Sequence, residues 1–177
     1  MPWDDPGSTA IVISTPEAEP LIGELSRAHT RAGRDAMWPH VTLLVPFVPA
    51  EQIDEEVESR LAGVLGRYEP FGYTLTWPRR FPDGVLYLAP EPAEPFVDVI
   101  QALIEAFPDY PPYGGAHDMI VPHATVAVSE DDAFLSRIAV ALEPRLPVRC
   151  RAHAAAMVER GSDFRWSLRR EYPLGAT

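Results

Sequence analysis

The apolar positions of this chain change period several times, and each change marks an element. Thr9 to Thr15 carries an apolar run through Ile11, Val12 and Ile13, which predicts a first strand. Thr15-Pro16 then supplies an N-cap followed by proline in a first helical turn. Leu21, Ile22, Leu25, Ala28 and Ala32 recur at helical spacing, so a helix is predicted to about Arg34. His40 to Phe47 reads as a strand, and Ile53, Val57, Leu61, Val64 and Leu65 form one face of a second helix. Phe71 to Phe81 alternates Phe71, Tyr73, Leu75 and Trp77 against Thr74 and Thr76, the period of a half-buried strand. Pro82-Asp83-Gly84 signals a turn, and Val85 to Ala89 is the next strand.

The order then repeats. Phe96, Val99, Ile100, Leu103, Ile104 and Phe107 stripe a third helix, and Pro108 to Gly115 is a loop rich in proline, glycine and tyrosine. Pro122 to Val128 is a strand. Ser129-Glu130-Asp131-Asp132 has the form of a capping box, and Leu135, Ile138, Leu142 and Leu146 line a fourth helix. Strand-like stretches follow around Val148 to Val158 and Phe164 to Tyr172, with Gly161-Ser162-Asp163 turning between them. Each half thus reads strand, helix, Pro-His strand, helix, strand, strand. The pattern predicts an α+β fold in a single bilobal domain over residues 1–177. Two antiparallel sheets related by a pseudo-twofold axis would carry helices outside, with lobes formed from repeats at roughly 9–84 and 85–175.

The chemistry-bearing feature is Pro39-His40-Val41-Thr42-Leu43 beside Pro122-His123-Ala124-Thr125-Val126. Strand side chains alternate faces, so His and Thr two apart point the same way, roughly 7 Å from one another. Val41 and Leu43 face the other side and supply core. Composition alone predicts roughly 0.03 occurrences of Pro-His-x-Thr in such a chain, so a chance pair is a poor explanation. A pseudo-twofold axis would set the two pairs around one cavity. One neutral imidazole can then accept a proton from water or a ribose 2′-hydroxyl while the other, protonated, delivers a proton to the leaving oxygen. An imidazole titrates near 6.5, so both states are accessible near neutrality. The hydroxyls of Thr42 and Thr125 can donate to nonbridging phosphate oxygens as charge builds there. This set breaks a phosphodiester without a metal.

Charge narrows the substrate. The net charge is −11, and all 15 basic residues are arginine. Such a chain has no general attraction for a phosphate backbone, which argues against long duplex nucleic acid and leaves a short end or a small nucleotide. The absence of lysine removes Schiff-base and P-loop chemistry. The single Cys150, in Val148-Arg149-Cys150-Arg151, reads as an inward-facing, inert thiol. No apolar run approaches the roughly 18 residues of a membrane helix, and the acidic start Met1-Pro2-Trp3-Asp4-Asp5 lacks a signal pattern. A cytoplasmic monomer is expected.

The paired motifs resemble the His-x-Thr-x motifs of the 2H phosphoesterase superfamily, in the branch known as the 2′-5′ RNA ligase family, and the resemblance runs from Thr9 to about Gly175. It implies cleavage of 2′,3′-cyclic phosphates or 2′-5′ linkages in RNA ends or small nucleotides, with no cofactor. His40, Thr42, His123 and Thr125 would carry the reaction. The competing reading is a module that keeps the cleft, binds a nucleotide or RNA end and does not cleave.

Other residues are secondary candidates. Tyr113, in the loop entering the second motif, could stack on a base, or pack at the edge of a rigid turn. Trp166 would be core or pocket wall. Arg79, Arg80, Arg149, Arg151, Arg165, Arg169 and Arg170 are candidate phosphate contacts. His29 reads as a helix-surface or boundary residue, and His153 as a structural strand residue. His117-Asp118 has the form of a metal-phosphohydrolase pair, but the further ligands of such a site are not visible.

Overall fold

The pairing of strands follows from two tight connections and two long ones. The computed structural model describes residues 4–116 and 120–176. β1 (Thr9–Ser14), β2 (His40–Leu44), β7 (Ala154–Arg160) and β8 (Trp166–Pro173) form a first antiparallel sheet in the order β2-β1-β7-β8. β3 (Phe71–Arg80), β4 (Val85–Glu91), β5 (Ala124–Val128) and β6 (Val148–Ala152) form a second, in the order β5-β4-β3-β6. The helices are α1 (Glu19–His29), α2 (Arg31–Arg34), α3 (Glu55–Leu65), α4 (Glu94–Ala106) and α5 (Asp132–Leu142). This is the expected α+β architecture. No helix among the described residues is long and apolar enough to cross a membrane.

One face of each sheet enters a common core. Ile11, Ile13, Val41, Leu43 and Met157 of the first sheet meet Leu75, Leu86, Leu88 and Val126 of the second, with Leu61, Phe96, Leu103 and Leu135 from the helices. The helices cross between sheets to do this. α1 follows β1 of the first sheet and packs on β5 of the second, while α4 follows β4 and packs on β2. The edge strands β2 and β5, which hold the two motifs, are thereby brought side by side.

Sheet membership does not follow the halves of the chain. The tight turn at Asp83-Gly84 binds β3 into a hairpin with β4, so a first-half strand sits in the second sheet. β7, from the second half, pairs instead with β1. The repeat boundary near residue 84 therefore describes the chain and not the sheets. The stretch from Val148 to Val158 is also two strands, because β6 edges the second sheet and β7 lies within the first. The change of sheet breaks the run at His153, which is exposed. The helix predicted to Arg34 is interrupted at Thr30, whose backbone is extended and whose hydroxyl accepts from Gly33 N–H at 2.9 Å, capping α2 anew.

Candidate active site

The alternation expected of β2 is present. His40 and Thr42 are half-buried on one face, and Val41 and Leu43 are buried on the other. Their neighbours on β1 are Ser14 and Val12, and Val12 pairs in turn with Ala156 of β7. Small side chains in the middle of this sheet hollow out its open face. Ala10, Val12, Ala156 and Val158 make an apolar floor with Trp166, closed by Met37, Val45, Ala32, Trp38 and Tyr113. Thr125 on β5 and His123 just before it enter from the second sheet. All four motif residues, with Tyr113, Trp166 and Arg160, line one cleft of about 330 Å³.

The two histidines are held alike. His40 Nδ1 lies 2.7 Å from the Trp38 carbonyl, and His123 Nδ1 lies 2.8 Å from the Val121 carbonyl. A carbonyl only accepts, so each Nδ1 carries a proton, and Nε2 is the nitrogen that changes state. Trp38 is itself fixed by its indole N–H donating to Ser14 Oγ at 2.7 Å. His123 is flanked by Phe81 and Tyr87, edge to face at 5.0 and 5.5 Å. Burial lowers the pKa of both rings, against the raising effect of their carbonyl bonds. The charge on His123 further disfavours the charged form of His40, whereas the Asp83 carboxylate favours that of His123.

Tyr113 and Trp166 both reach the cleft wall. Tyr113 sits at φ 52°, in the left-handed region, with its N–H donating to the Val45 carbonyl at 2.6 Å. Burial raises its phenol to about 12, so it stays a neutral donor. Trp166 is buried, and its N–H donates to the Asp35 carbonyl at 2.7 Å.

None of the seven candidate arginines lines this cleft. Arg80 pairs with Asp132, Arg169 with Glu159, Arg170 with Glu58 and Arg79 with Glu91, all at the surface. The cleft is lined instead by Arg31 and by the buried Arg160, which no sequence motif singles out. Arg160 is 3% exposed, bonds Asp35 at 2.6 Å, and lies 5.7 Å from the Phe164 and Trp166 rings. Its Nε has no hydrogen-bond partner. The available signal is parity along β7, which puts Arg160 on the face of Ala156 and Val158.

Cys150 is buried, and burial raises its thiol to about 11, as expected of an inert side chain. His29 meets Phe134 edge-on at 4.9 Å. His117-Asp118 lies outside the described residues. Among the described residues there is no group of three or more His, Cys, Asp or Glu placed to hold a metal.

The model of the 2′-5′ RNA ligase superfamily matches residues 14–164. Solved structures share the fold. Escherichia coli LigT complexed with 3′-AMP aligns with a TM-score of 0.61 at 16% identity, covering 96% of this chain and 99% of that one. TT0787 of Thermus thermophilus aligns at 0.61 and 20% identity, covering 95% and 98%. Escherichia coli LigT complexed with NADP+ aligns at 0.57 and 17% identity, covering 96% and 98%. Curated protein sequences yield no match.

Proposed function

Because the chain belongs to the 2′-5′ RNA ligase superfamily, a branch of the 2H phosphoesterases, we propose that it is a metal-independent phosphodiesterase acting on 2′,3′-cyclic phosphates or 2′-5′ linkages of RNA ends or small nucleotides. The observation that carries this reading is the matched pair of Nδ1-anchored histidines in one cleft, each with a threonine on the same face. Nucleotide binding by Escherichia coli LigT supports the substrate class.

In hydrolysis of a cyclic phosphate, the neutral histidine accepts a proton from water at Nε2 as the water oxygen bonds to phosphorus. The bond from phosphorus to one ribose oxygen breaks, and that oxygen takes the Nε2 proton of the charged histidine. The product is a monoester, and solvent restores both protonation states. For a 2′-5′ linkage the neutral histidine takes the proton of the attacking 3′-hydroxyl or water, the bond from phosphorus to the 5′-oxygen breaks, and that oxygen takes the proton of the charged histidine. Thr42 and Thr125 donate to the nonbridging oxygens as charge grows on them. The apolar floor around Val12, Ala156 and Trp166 takes the base or ribose, with Tyr113 at its rim.

The test is turnover of 2′,3′-cyclic mononucleotides, oligonucleotides with cyclic ends and 2′-5′ dinucleotides, with chelator present. Cleavage of at least one class that survives chelation is expected. Binding of these compounds with no cleavage would leave a nucleotide-binding module. Activity that vanishes with chelator and returns with a divalent ion would refute the two-histidine mechanism.

A further inference from the structure

The two sheet faces that meet at the motifs are unlike. On the first sheet, the row beside Thr42 is Val12 and Ala156, enclosed under Met37 and Trp38. On the second, directly opposed residues make the row Thr125, Tyr87, Arg79, since opposed residues of antiparallel strands share a face. Phe81 stacks on Tyr87 at 4.2 Å, and both rings contact His123. The apolar pocket thus gives way, across the histidines, to an aromatic and basic sheet face.

That face continues to an exposed tryptophan. The register of β3 slips between Leu75 and Pro78, so Thr76 and Trp77 together oppose Ala89. A bulge of this kind breaks the alternation and re-aims a side chain. The Thr76 hydroxyl donates back to the Ala89 carbonyl at 3.3 Å, and Trp77 is left 63% exposed. Trp77 lines a groove of about 450 Å³ together with Pro92, Leu146 and Pro147. Two strand spacings separate β3 from β5, so the Trp77 side of this groove stands about 10 Å from the motif strand. Arg149 pairs with Thr74 and Arg151 with Gly72, which puts both guanidinium groups on the open face. Against them stands Glu91, 3.6 Å from Arg79. In a chain of net charge −11 this face gathers three arginines, beside two carboxylates once Asp83 near His123 is counted.

We propose that the open face of the second sheet is a track for single-stranded RNA, in which the nucleotide adjoining the one in the apolar pocket stacks on Trp77 and its phosphates meet Arg79 and Arg149. The proposal rests on the phosphodiesterase reading and specifies its substrate as an oligonucleotide end. Aromatic stacking with flanking cations suits a strand of any sequence.

Two measurements separate the track from the activity. The first compares kcat/KM on a 2′,3′-cyclic mononucleotide with that on a trinucleotide bearing the same end. The second is the binding of a fluorescent trinucleotide 3′-phosphate. The parent protein should favour the trinucleotide by about 10-fold or more, the worth of one stacked base. Trp77→Ala should erase that preference and weaken trinucleotide binding by a similar factor, with mononucleotide turnover unchanged. Trp77 has little core packing to lose. The double variant Arg79→Ala/Arg149→Ala should flatten the salt dependence of trinucleotide binding. Equal preference for the two substrates in the parent, or a Trp77→Ala protein that binds and cleaves the trinucleotide normally, overturns the track. If the parent cleaves neither compound, the phosphodiesterase reading fails. The binding assay then decides the track: weakening by Trp77→Ala supports it, and absent or unchanged binding refutes it.

Discussion

His40 and His123 are anchored by the same device, each Nδ1 donating to the main-chain carbonyl two residues earlier, at 2.7 and 2.8 Å. Both rings therefore present Nε2 as the working nitrogen, which lets either one serve as base when neutral and as acid when charged. His40→Ala and His123→Ala should each reduce turnover by about 10²–10⁴-fold, the usual worth of a positioned acid or base. The double variant should be little worse than either single one, because a concerted pair is disabled by losing one member. Folded single variants with near-parental rates would exclude two-histidine catalysis.

The threonines should be separable from the fold. Valine keeps the branched shape that suits β2 and β5, and Thr42 and Thr125 are half-buried rather than core. Thr42→Val or Thr125→Val should preserve the thermal midpoint to within a few degrees and lower kcat by up to about 10²–10³-fold, the loss seen for an oxyanion donor. A parental kcat in both variants would remove the hydroxyls from the mechanism.

The pH–rate profile should be a bell displaced to the acid side. Burial lowers both histidines below 6.5, so the rising and falling limbs of kcat/KM should both lie under that value. Asp83 favours charge on His123 and that charge disfavours charge on His40, so His123 should act as the acid and His40 as the base in cleavage. Asp83→Asn should move the falling limb to lower pH and leave the rising limb in place. Movement of the rising limb instead would reverse the assignment.

Arg160 and Asp35 clamp the segment that closes the cleft. Asp35 accepts from Arg160 at 2.6 Å through its side chain and from Trp166 N–H through its carbonyl, tying the turn after α2 to β7 and β8. Asp35→Asn would leave a guanidinium that is 3% exposed with Asp4, at 3.9 Å, as its one carboxylate among the described residues. The expected loss is about 3 kcal/mol of stability, the lower end of the range for breaking a buried pair, because Asp35 is partly solvated. Denaturant midpoints check this, and a loss under about 1 kcal/mol would show that Asp4 or water replaces the partner.

The motifs and the helices are legible in the sequence because each depends on neighbours along the chain. His40 and Thr42 share a face by strand alternation, and the helical stripes at Leu61 and Phe96 follow the helical period. What stays hidden depends on partners far along the chain. Nothing local in Val148 to Val158 tells that β6 and β7 join different sheets, β6 pairing with β3 and β7 with β1. The slip at Thr76-Trp77 inverts the expected inward Trp77, because it is set by opposition to Ala89 on another strand. Arg160 escapes a sequence reading because burial of an arginine requires carboxylates, and Asp35 and Asp4 come from remote segments.

Stability should also fall in mild acid, and the sign follows from the same two rings. Each histidine has a folded-state pKa below its unfolded value near 6.5, so the unfolded chain binds protons more readily. Their contribution is full above about 6.5 and is lost as pH falls from there through the folded-state values. Thermal midpoints should therefore drop between about pH 7.5 and 5.5, a window above the carboxylate range. The drop should be smaller in His40→Ala and His123→Ala, and smallest in the double variant. A bound phosphate reverses the sense. An anion between the rings favours their charged forms, so inorganic phosphate or a nucleotide 3′-phosphate should raise the midpoint more at about pH 5.5 than at about pH 7.5. A parental pH slope that survives loss of both histidines, with a phosphate effect that does not grow toward acid, would place the anion away from His40 and His123.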